Sequence, residues 1–134
     1  MQDEKVLVSE ETLISKIHIV RGKRVMLDKD IAELYGVKAI RLREQVKRNK
    51  NRFPENFMMQ LDEEEVEMMV SQNAIPSLKV LGGSLPYVFT EHGILMLSNV
   101  LKSEKALQMS IRIIEVFVKL KEIILLYKDV SISY

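Results

Sequence analysis

Seven bases stand between Lys38 and Arg52: Lys38, Arg41, Arg43, Lys47, Arg48, Lys50 and Arg52, with Glu44 the single acid among them. This is a local balance of +6 in a chain of 134 residues whose total is +1, so the remainder carries −5. Long-range attraction follows the local field more than the molecular total, and such segregation points to an anionic partner. The other chemically capable groups do not converge. His18 sits between apolar residues in a predicted strand, and His92 lies far away in sequence, just after Thr90 at the start of a predicted helix. Glu63, Glu64 and Glu65 follow Asp62 in a first helical turn, where acids suit the helix dipole better than they suit a metal. Gly82 and Gly83 are followed by Ser-Leu-Pro rather than by Lys-Ser/Thr and a helix, so no phosphate-cradling loop is formed. There is no cysteine, which excludes thiol catalysis, a cysteine-based zinc site and a disulfide framework. No enzyme, metal site or cofactor is expected.

The elements that must position the basic cluster can be read from their ends. Hydrophobic residues make up 47% of the chain and charged residues 29%, which favours a folded chain over a disordered one. The length suits one domain, 1–134. "SEETLISK" opens on a Ser-x-x-Thr start and predicts a short first helix. "IHIV", "RGKR" and "VML" predict a β-hairpin turning at Gly22. Asp28 is expected to cap a helix ending at Tyr35 and Gly36, and a second helix runs from Lys38 to about Asn49, stopped by Asn51 and Pro54. "FMMQL" predicts a strand, Asp62 a helix cap, and "IPSLKVLGGSLPYVF" a second hairpin about Gly82 and Gly83. Thr90 caps "EHGILMLSNVL", and Ser103 caps a long closing helix over about 104–127.

A helix-turn-helix needs a small residue in its first helix and a left-handed residue at its turn. Ala32 and Gly36 supply these, with Ile31, Tyr35, Val37 and Leu42 as packing positions. On the second helix Ala39, Leu42 and Val46 form the apolar face. Ile40, Arg43, Glu44 and Lys47 are placed outward, flanked by Arg41 and Arg48. Such a face suits a major groove, with Arg43 for guanine, Ile40 for a thymine methyl, Glu44 for a cytosine amino group and the flanking bases for phosphates.

Three blocks, "VMLDKDIAELYGV", "RFPENFMMQL" and "LPYVFTEHGILMLSNVLKSEKA", resemble in order the ORF6N domain, which is related to the KilA-N and Bro-N modules of phages, large DNA viruses and bacterial genomes. The resemblance covers roughly residues 17–120, with a core at about 17–102. It implies DNA binding within phage or prophage regulatory or antirepressor-like proteins, hence a role in transcription regulation.

The closing helix carries a narrow polar stripe of Glu104, Gln108, Arg112, Glu115, Lys119 and Glu122. Its wide apolar arc exceeds what one face of a small domain buries. Part of that arc, with Phe117, Ile124 and Leu125 as candidates, is expected to meet a second copy. The charges in this region rule out a membrane span, and the acidic N-terminus lacks the order of a secretory signal, so a cytoplasmic protein is expected. The reading is an α+β, mainly helical domain with a helix-turn-helix-like unit, two small hairpins and a long C-terminal helix. Its expected partners are double-stranded DNA and a second copy of itself. The alternative is a protein-protein interaction or antirepressor-like assembly domain with a regulatory protein partner.

Overall fold

The computed structural model describes residues 8–76 and 84–132. It is α+β and mainly helical. The elements run α1 (Glu10–Ser15), β1 (Ile17–Val20), β2 (Lys23–Leu27), α2 (Asp28–Tyr35), α3 (Ala39–Arg48), a 3-10 turn (Lys50–Arg52), β3 (Met58–Gln60), α4 (Glu63–Ser71), β4 (Tyr87–Phe89), α5 (Glu91–Leu101) and α6 (Glu104–Ile132).

The strands form one antiparallel sheet in the order β1-β2-β4-β3. Its first hairpin closes on Arg21 and Gly22, at φ 53° and 79°, between the paired Val20 and Lys23. Two successive positive φ values match the right-handed twist of the flanking strands. The non-glycine residue there is tethered: Arg21 donates to both carboxylate oxygens of Glu65, at 2.8 and 2.9 Å, and to the Gln60 carbonyl at 3.0 Å. The turn of the second predicted hairpin, about Gly82 and Gly83, lies outside the described residues. Its second arm is β4, which pairs with β2 on one side and β3 on the other. The strands that the sequence assigned to separate local units thus share one sheet.

Side chains alternate across this sheet, and both faces are covered. Met26 and Phe89 point into the main helical core with Ile31, Tyr35, Leu42, Val46, Leu97 and Ile113. Val25, Leu27 and Val88 point the other way, against Val66, Met69 and Ile75. That is why "VML" is apolar without interruption.

Several ends follow the cap residues. Ser9 accepts from the Thr12 N–H, and Asp62 and Glu65 form a reciprocal capping box. Thr90 accepts from the Gly93 N–H, and Ser103 from the Ala106 N–H. Asp28 departs from expectation. It lies inside the first turn of α2, the cap position is Leu27, and no side chain caps the helix. Its carboxylate is instead buried, accepting from the Tyr87 N–H at 3.0 Å.

In α6, Ala106, Ser110, Ile113, Val116 and Phe117 are buried, and Ser110 hydrogen-bonds the buried Tyr35 hydroxyl. Burial pushes the Tyr35 hydroxyl up to about 12, so it remains a neutral partner. From Lys121 to Tyr127 every residue is exposed. Among the described residues no helix is long and apolar enough to cross a membrane.

Candidate nucleic-acid interface

The turn between α2 and α3 is built on Gly36, at φ 76° and ψ 30°. The Val37 N–H donates to the Ala32 carbonyl at 2.9 Å and the Gly36 N–H to the Glu33 carbonyl at 3.1 Å. These two bonds close the end of α2 and require the left-handed residue. The chain then enters α3, whose Leu42 and Val46 are buried against α2 and α5, with Ala39 partly buried beside them.

The opposite side of α3 is open. Lys38, Ile40, Arg41, Glu44, Lys47 and Arg48 are all exposed, Ile40 to 65%. Lys50 and Arg52 continue the exposed cationic run through the 3-10 turn, and Arg52 donates to the Asn99 side chain at 3.1 Å. Of these residues the six cations have no ion pair among the described residues. The Asn49 side chain donates to the Gln45 carbonyl at 2.8 Å and holds the end of α3 where the basic run continues.

Arg43 is a correction. It does not face outward: its side chain is 16% exposed and donates to the Leu85 carbonyl at 3.0 Å. Its Nε lies 3.7 Å from Asp28 Oδ2, and the guanidinium stacks over the Tyr87 ring at 5.5 Å from the centroid. Arg43 therefore fastens α3 to the start of β4 and is not available as a guanine reader. Asp28, Leu85 and Tyr87, which hold it, were not among the sequence candidates. The one local signal was an acid at the head of α2 just after an apolar strand, and it suggested a cap.

Phe117 is a second correction. At 3% exposure it belongs to the main core and cannot form a seam with another chain. Ile124 and Leu125, at 42% and 57%, lie on the exposed end of α6.

The histidines remain apart. His18 is partly buried in β1, where burial lowers its imidazole below the ordinary value. His92 is exposed beside Phe57, with ring centroids 5.6 Å apart.

The sheet, the Gly36 turn and the α5–α6 frame fall within or directly beside a stretch, residues 15–100, that matches the model of the ORF6N domain, and the chain belongs to that family. No curated protein and no solved structure matches it.

Proposed function

We propose that this chain is a DNA-binding regulatory module of phage or prophage type, in which α2, the Gly36 turn and α3 act as a helix-turn-helix-like unit. The observation that carries the reading is the outward surface of α3 and the turn after it. Lys38, Arg41, Lys47, Arg48, Lys50 and Arg52 stand exposed without a carboxylate partner among the described residues, in a chain otherwise acidic. A folded protein that concentrates unpaired cations on one face presents a field suited to a polyanion. With Arg43 engaged internally, Ile40 and Glu44 are the central outward side chains left to meet base edges, a thymine methyl and a cytosine amino group respectively. The cations around them hold phosphates.

The test is a salt titration of duplex binding with Lys47, Arg48, Lys50 and Arg52 all changed to Gln. Affinity should fall on every sequence, and the log–log salt slope should flatten by about 0.9 for each phosphate no longer neutralised. Unchanged affinity and slope would remove this surface from the interface.

A second reading, a protein-protein assembly domain, is favoured by the exposed apolar end of α6, where Ile123, Ile124, Leu125, Leu126 and Tyr127 are all open. The two readings meet if that end joins a second copy. A pair of readers related by a two-fold axis covers two half-sites and gains the selectivity that one short helix lacks.

A further inference from the structure

Two bases outside the α3 surface, Lys23 and Arg24, leave the hairpin tip and line a cleft of about 260 Å³ together with Lys121 of α6 and Glu91 and His92 of α5. The tip is a firm platform, since Arg21 is held by Glu65 and by the Gln60 carbonyl, and the turn geometry is set by Arg21 and Gly22. Arg24 is partly buried, yet neither it nor Lys23 has an ion pair or a side-chain hydrogen bond among the described residues. Glu91 is the one acid in the cleft among the described residues, and Lys121 sits 3.7 Å from it. That pairing offsets one positive charge and leaves two uncompensated. The first turn of α5, beginning after Thr90, adds the positive end of a helix dipole to the same wall.

The cleft also adjoins a groove that reaches the end of the basic run after α3. His92 lines it and lines as well a larger groove of about 910 Å³, whose wall includes Arg52 at the end of the basic run. Arg52 in the groove and the Lys23–Arg24 tip in the cleft therefore each share a hollow with His92.

We infer that the cleft between the hairpin tip and the start of α5 takes a backbone phosphate of the same duplex that α3 engages, with Lys23 and Arg24 as its ligands. This rests on the DNA reading above and adds a second foothold to it. A phosphate held in this way fixes the angle at which α3 enters the groove while carrying no base information.

The experiment compares wild type, Lys23→Gln with Arg24→Gln, and Lys47→Gln with Arg48→Gln on one duplex by fluorescence anisotropy from about 50 to 200 mM salt, the range over which phosphate neutralisation dominates. Circular dichroism and the thermal midpoint check the fold of each. The hairpin variant should flatten the slope by about 0.9 and bind about eightfold more weakly at 0.1 M salt, the value that such a slope gives over one decade of salt. Its ranking of specific over random duplex should not change. If Arg24→Gln disturbs the sheet, Lys23→Gln alone, at the exposed tip, should still lower the slope. A hairpin variant with wild-type slope and affinity, beside an α3 variant in which both fall, would overturn the second foothold and leave the DNA reading standing. Failure of the wild type to bind any duplex would overturn that reading, and the foothold with it.

Discussion

Asp28 and Arg43 face each other where α2, α3 and β4 meet, with Oδ2 and Nε 3.7 Å apart and both side chains largely withdrawn from water. Burial pushes the Asp28 carboxyl above the ordinary carboxylate range, against the opposing pull of the Tyr87 N–H and of Arg43. The pair thus orients the exposed helix from inside the fold.

A pH dependence follows from that direction. Because the folded state holds the Asp28 proton to higher pH than the unfolded chain, its contribution is full below the unfolded value of about 3.9 and is lost as pH rises through the folded value. Asp28→Asn keeps an acceptor for the Tyr87 N–H but cannot titrate. Between about pH 4 and neutrality the stability difference should therefore move in favour of the variant. Urea denaturation of both proteins across that range measures it. A constant difference would mean that Asp28 ionises as easily in the fold as outside it.

Gly93 makes a close backbone approach that no side chain tolerates. A Cβ built there would stand 2.0 Å from the Phe57 carbonyl oxygen, which already accepts from the Thr90 N–H at 3.0 Å. Gly93→Ala must push α5 away from the approach to β3 and break the Thr90 cap, at a cost of about 3 kcal/mol. Thermal unfolding checks this, and a destabilisation below about 1 kcal/mol would show that the two backbones separate freely.

Two sites on α6, one buried and one open, give a paired expectation. Phe117→Ala removes a ring from the main core and should cost about 3–5 kcal/mol without any effect specific to association. Ile124→Glu with Leu125→Lys touches only the exposed end, so monomer stability should stay within about 0.5 kcal/mol while any dimer dissociates. Sedimentation velocity at micromolar concentration separates the outcomes. A wild type that is already monomeric and binds a half-site fully would remove the seam.

Local signals carried much of the architecture. Ser9, Asp62, Thr90 and Ser103 each announced a helix start through a side chain that reaches only three residues along, and Gly36 announced a turn through its own backbone freedom. What was hidden depended on distant partners. The bond from Tyr87 to Asp28 spans 59 positions, and nothing near either residue signals the other. Arg43 was partly legible: at about 100° per residue it falls only about 40° from Ala39, on the flank of the packed face, where a long side chain can turn inward. Phe117 was not legible, because α6 is apolar around most of its girth and only the rest of the fold selects which arc is covered.

The span shared with the ORF6N family closes at residue 100, but the core does not. Ala106, Ser110, Ile113, Val116 and Phe117 fill it from the far side, Ser110 holds the Tyr35 hydroxyl, and the Lys105 ammonium lies 3.0 Å from where a Cβ on Gly36 would stand. Cutting at the family boundary would strip the back wall from the α2–α3 unit and leave Tyr35 and Leu97 wetted. The portable piece, the length that could be fused to another protein or exchanged between genes with its turn intact, is therefore longer than the span that identifies the family. It runs past the middle of α6 to Leu120, the last residue of that helix packed against the main core among the described residues.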